Sequence, residues 1–144
     1  SLVGSEMCIR DRAERGLELG LDEYMAGEIA TIRLGEQLGA FHDEYDLLLT
    51  PTMPIVAPSA ELGYATPEND RWRHGVPFTL PFNLTGQPAA SIPGGLDASG
   101  LPIGVQVVAA KYEDVLVLRA AHSLEQTVGL NWRDPAVRGQ LAIA

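Results

Sequence analysis

PFNLTGQPAASIPGG (residues 81–95) is the stretch on which the fold turns. It holds Pro81, Pro88 and Pro93 together with Gly86, Gly94 and Gly95, and no charged residue, between two segments that read as buried structure. A loop that only connects is expected to be polar and superficial, because buried backbone must find hydrogen-bond partners. Prolines remove donors and fix φ, while glycines allow close backbone approach. The stretch therefore reads as a stiff, uncharged corner between two buried segments.

Working outward from the corner, Ala89 to Gly94 reads as a first strand and Asp97-Ala98-Ser99-Gly100 as a turn, with Gly100 free to take positive φ. Leu101 to Ala110 is the returning strand. Ile103, Val105 and Val107 face one way, and Gly104, Gln106 and Val108 the other. Both faces are largely apolar, which predicts cover on both sides, as in the middle of a layered α/β protein. A helix follows from Glu113 to Val128, with acids at its start, Gly129 suited to its C-terminal cap and Pro135 barring a restart.

Upstream, the spacing predicts a helix over Leu21 to Tyr45. Met25, Ile29 and Ile32 lie on one face and Leu34, Leu38, Phe41 and Tyr45 on a neighbouring one. Asp22 is the expected N-cap. Gly35 and Gly39, four apart, suggest close approach by another element, since glycine otherwise only lowers helix propensity. DLLLTPTMPIVAP (46–58) then reads as a short buried strand stopped by Pro51, and residues 59–75 as a polar surface loop.

The opening SLVGSEMCIRDR (1–12) has neither helical nor strand periodicity and resembles translated sequencing adapter joined to an unrelated protein. It is set aside as non-native, which makes residues 13–144 the C-terminal portion of a longer protein. The strands and helices left do not close a sheet, and unpaired edges and bare apolar faces point the same way.

The bulk numbers narrow the function. Apolar residues make up 46% and charged residues 20% of 144, as in an ordinary globular domain. A net charge of −9 with scattered basic residues gives no footprint for direct nucleic-acid binding. Cys8 stands alone, so no internal disulfide or cysteine metal framework forms; this suits a reducing compartment, and a cytoplasmic protein is expected. No apolar run matches a membrane span.

A search for catalytic groups finds no G-x-S-x-G elbow and no S-x-x-K pair. Ser59, Ser91, Ser99 and Ser123 have no activating context, and Lys111 reads as a solvated charge at a strand end. His42, Asp43 and Asp46 share part of a helix but have no further ligand cluster. The His42-x-Glu44 pair lacks the P-C-x-x-C of the zinc deaminases. His122, on an apolar helix, reads as half-buried. Gly94-Gly95 opens a hairpin rather than the helix a phosphate loop needs. No catalytic residue is assigned in this chain, and no metal site.

Three blocks in order, DLLLTPTMPIVAP, PFTLPFNLTGQPAASIPGGLDASGLPIGVQVV and DVLVLRAAHSLEQ, resemble the C-terminal third of the amidase signature family over about residues 13–133. The resemblance implies an α/β/α sandwich around a mixed central sheet, amide hydrolysis or transfer, and no metal or organic cofactor. It implies a Ser–cis-Ser–Lys triad in a Gly/Ser-rich segment. No string like GGSSGGS occurs here, so the triad belongs upstream of position 13. Val76–Thr79, with Val76, Phe78 and Thr79, becomes the candidate pocket-facing segment; Thr52–Ile55, with Thr52, Met53 and Ile55, is its neighbour. Simple packing of both segments is the alternative.

Within the family, the A subunit of the glutamine-dependent amidotransferase that corrects mischarged tRNA resembles its own group in an acidic residue just before the segment matching PFTLP. Gly75 and Val76 stand there instead, and WRDP (132–135) resembles general amidases, so an amidase for a small amide substrate is expected. The partners expected are the missing N-terminal portion of the same polypeptide and, as a candidate, a second copy in a homodimer. A non-catalytic module that completes a fold or binds a partner is the alternative from another class.

Overall fold

A computed structural model describes residues 10, 13–14, 16–57 and 76–129. The elements run α1 (Leu21–Glu44), β1 (Leu47–Pro51), α2 (Leu80–Thr85), β2 (Ala89–Leu96), β3 (Pro102–Ala109) and α3 (Asp114–Val128). The expected surface loop at 59–75 and the Trp132–Pro135 ending lie outside the described residues. So does the opening segment, apart from Arg10.

The three strands form one sheet in the order β1-β3-β2, with both pairings antiparallel. The result is an α/β architecture, and the parallel part of a mixed sheet is not among its described strands. The hairpin forms as its turn chemistry dictates. Asp97 Oδ1 accepts from the Ser99 and Leu101 amides, both at 2.8 Å, and Gly100 takes φ 83°. Between Pro93 and Gly95 the register slips by one residue. Gly94 is the extra residue of that bulge, packed against the Val105 side chain where a Cβ would collide.

β3 is central, and its apolar alternation finds cover on both faces. Val107, with Ile92 of β2 and Ala121 of α3, forms the core, and Leu47, Ala90, Val105 and Leu124 pack around it. Val108 is fully buried on the opposite face, the side on which Gln106 reaches the carbonyl of Phe78, just before α2. Cover fades at the start of the strand, where Pro102 and Ile103 are exposed. α3 ends as its sequence demands, with Gly129 at φ 65° and its amide bonded to the Glu125 carbonyl. His122, expected to be half-buried, is exposed on the outer face of this helix.

The corner differs from expectation in one respect. Its first third is helical: α2 carries Pro81 in its first turn, where the missing donor costs nothing, and is capped by Gly86 at φ 70°. Polar groups around it are satisfied. The Gly86 amide donates to the Phe82 carbonyl (2.9 Å), Gln87 Nε2 reaches the Ala109 carbonyl (3.4 Å), and the Ala109 amide reaches the Pro88 carbonyl (3.2 Å). Thr85 Oγ1 lies within reach of the Pro81 carbonyl (3.0 Å) and Gln87 Oε1 (3.1 Å).

Three expectations for the N-terminal half are corrected. The N-cap of α1 is Gly20, in extended backbone with no side-chain cap, and Asp22 sits inside the first turn, where its charge still favours the helix N-terminus. β1 is half-buried rather than buried and lies at the edge of the sheet formed by the described strands, and Pro51 belongs to it, opposite Val105; an edge position tolerates the missing donor. Only Gly35 meets a neighbour, Thr85 Cγ2 at 3.9 Å from where a Cβ would sit, while Gly39 faces open space. No residue of α1 is fully buried: Met25, Ile29 and Ile32 are exposed, whereas Leu34, Leu38 and Phe41 on the neighbouring face are half-buried.

Candidate functional site

The candidate site lies where β1 runs out. Pro51 ends the strand, but the Thr52 amide still donates to the Gly104 carbonyl (2.9 Å), so the ladder reaches one residue further. From there the chain 52–57 turns along the ends of β2 and β3 and leaves an open cleft of about 650 Å3. Its floor includes Thr52, Met53, Ile55, Ser91, Pro93 and Ile103.

Side chains in the floor are set by register. Ser91 stands opposite Gln106, and Pro93 opposite Gly104, so Ser91, Gly104 and Gln106 share one face. Thr52 joins them from β1's extension, and its Oγ1 meets Ser91 Oγ at 2.7 Å. Gly104 makes this contact possible. A Cβ there would lie 2.8 Å from Thr52 Oγ1 and 3.1 Å from Ser91 Oγ, inside ordinary contact distances. Next to the pair, Gln106, 5% exposed, donates through Nε2 to Thr50 Oγ1 (3.0 Å) and to the Phe78 carbonyl (2.9 Å). The amide thus spends one N–H bond on the neighbouring strand β1 and the other on the turn that precedes α2.

The six residues singled out from sequence separate into two groups. Thr52, Met53 and Ile55 line the cleft together. Val76, Phe78 and Thr79 are not among its described lining residues; they form the turn into α2, in which Thr79 and Leu80 donate to the Val76 carbonyl (3.4 and 3.2 Å). Gln106 bonds Phe78 of the second group and Thr50, two residues before Thr52 of the first. Sequence reasoning missed Gln106 and Ser91. A lone glutamine in an otherwise apolar strand was the available signal for the first, whereas Ser91 has no local signal, because its partner is 39 residues away.

Chemically, the cleft is apolar with one polar point. None of its described lining side chains carries a charge. Lys111, the one lysine of the chain, lies elsewhere, beside Glu36 and Gln87 in a second cleft of about 440 Å3 between α1, α2 and the end of β3. His42 Nδ1 donates to the Tyr45 carbonyl (2.9 Å), and its ring stands edge-on to Phe41. No group of three His, Cys, Asp or Glu converges among the described residues, and no helix among them is long and apolar enough to cross a membrane.

A three-stranded sheet with a helix against one face, and a cleft at its strand ends, defines part of a layered α/β fold. The chain belongs to the amidase family, whose match covers residues 17–118. It is similar to the A subunit of glutamyl-tRNA(Gln) amidotransferase of Brevibacillus brevis, 37% identical over 115 residues that make up 79% of this chain and 23% of that protein. A Mycobacterium tuberculosis protein designated amidase AmiD is 37% identical over 131 residues, 90% of this chain and 27% of its own. The solved structure of 6-aminohexanoate cyclic dimer hydrolase with its substrate superposes with a TM-score of 0.68 at 30% identity, over 86% of this chain and 28% of that one. The chain thus spans about a quarter of the length of the curated relatives it matches.

Proposed function

We propose that residues 13–144 are the C-terminal portion of the amidase domain of a longer enzyme that hydrolyses a carboxylic amide, and that residues 1–12 are non-native. The observation that carries this reading is α1, a 24-residue helix inside the matched segment with no buried residue, in a chain a quarter as long as its relatives. A helix with Met25, Ile29 and Ile32 exposed is the surface the remainder of such an enzyme would cover.

The chemistry implied by the family resemblance lies upstream. A neutral lysine takes the proton of a bridging serine, which takes that of the nucleophilic serine; the latter attacks the amide carbonyl, the amine leaves protonated, and water releases the acid. This chain contributes a wall of the pocket, with Thr52, Met53 and Ile55 along the cleft and Val76, Phe78 and Thr79 in the turn held by Gln106. The parent is proposed to be cytoplasmic, without a cofactor, without direct contact to nucleic acid, and able to form a homodimer.

The second reading is the A subunit of a glutamine-dependent amidotransferase, favoured by relatives of that name. Against it stands Val76 where that group carries an acidic residue.

Long-read sequencing of the source DNA across the codons for residues 1–13, followed by expression of the restored reading frame, tests the proposal. The expected result is a Gly/Ser-rich triad segment upstream of Ala13 and ammonia release from simple primary amides. A natural gene that starts at Ser1 overturns it and leaves a binding module. Glutamine hydrolysis that depends on partner subunits selects the second reading.

A further inference from the structure

We propose that the Thr52–Ser91 hydroxyl pair is a ligand subsite for the polar end of an uncharged amide whose apolar acyl group lies along Met53, Ile55 and Ile103. The choice of an amide rests on the amidase reading; the choice of an uncharged, apolar one rests on the cleft alone.

Two hydroxyls 2.7 Å apart share one hydrogen, so the second O–H and the remaining lone pairs are left to a third group. Ser91 is exposed and Thr52 half-buried, so that third group approaches from the cleft. A carboxamide matches this demand, because its carbonyl accepts from the free O–H and its N–H donates to a hydroxyl oxygen. A carboxylate would satisfy the donor but leave its charge facing apolar carbon, and an ammonium would find only hydroxyl lone pairs. The described lining offers no ion partner to either. Free glutamine carries both charges and is therefore a poor occupant, whereas a medium-length aliphatic amide is a good one. A cleft of about 650 Å3 is ample for such a molecule. Gly104 is the structural precondition, since any side chain there would separate the two hydroxyls.

The test is titration of the 144-residue chain with hexanamide, hexanoate, hexylammonium and glutamine, followed by backbone amide NMR shifts. The expected result is that hexanamide moves Thr52, Ser91, Ile103 and Gly104 in a saturable way, at least fivefold more tightly than either charged hexyl probe, while glutamine moves none of them. Ser91→Ala and the isosteric Thr52→Val are each expected to weaken hexanamide about fivefold, the effect of one lost hydrogen bond, with spectra otherwise unchanged. Equal affinity for hexanamide and hexanoate, glutamine binding at these residues, or full hexanamide affinity in both variants overturns the subsite. Hydrolysis assays on the restored enzyme separate the two readings. Hexanamide bound here without amide hydrolysis there defeats the amidase reading and keeps the subsite, and the reverse result defeats the subsite alone.

Discussion

The two long helices of this chain have similar apolar content but meet opposite fates. α3 lays Val117 and Ala121 into the sheet and finds Ile92 and Val107 waiting, whereas α1 buries nothing and leaves Ile32 61% exposed. The difference lies in what surrounds each helix. α3 follows directly on β3, so the short connection folds it back over the hairpin that precedes it. α1 precedes an edge strand and touches the rest mainly through Gly35 and α2. An amphipathic helix is stabilised chiefly by what it packs against, and α1 has little of that within these residues.

The comparison can be broken most sharply in the packed half. Val107→Asp places an unpaired charge at a fully buried central position, and a loss of at least about 3 kcal/mol, enough to abolish a cooperative melt, is expected. A cooperative thermal transition in that variant would show that the sheet is not the stable unit. Gln106→Leu strands the Phe78 carbonyl and the Thr50 hydroxyl, and denaturant titration is expected to show a cost of about 1–3 kcal/mol. Amide exchange in this variant should quicken around residues 76–80 before it does in β2. Gly104→Ala forces Thr52 and Ser91 apart and is expected to cost about 1–2 kcal/mol by the same titration.

On α1 the signs change. Ile29→Lys is expected to leave the melting of this chain within about 0.5 kcal/mol, as for a surface substitution, and to destabilise the restored enzyme by several times that. Equal effects in both would mean that no further chain covers the helix. Gly39→Ala is the smallest test. With open space beyond it, the variant is expected to gain about 0.5–1 kcal/mol here from helix propensity, read as a higher melting temperature.

Much of the packed half is legible in the chain because its signals are local. The Asp97–Gly100 turn, the alternation along β3 and the glycine after α3 each act within a few residues, and each appears where the pattern puts it. The N-cap of α1 was misread because an acidic residue near a helix start serves equally well in the first turn. β1 was read as buried from a run of leucines, yet whether such a run sits at a centre or an edge depends on which strands flank it. α2 has no clear sequence signal because the six residues Leu80–Thr85, ahead of Gly86, carry too little periodicity to register.

From sequence alone came the hairpin, the helix that follows it, and membership in the amidase family through three blocks in order. The tertiary structure decided which hydroxyls meet. Thr52 joins Ser91 across 39 residues, and Gln106 joins Thr50 across 56. Such contacts follow from strand order and register, which are settled by burial of the whole sheet at once. No single segment of the chain encodes them.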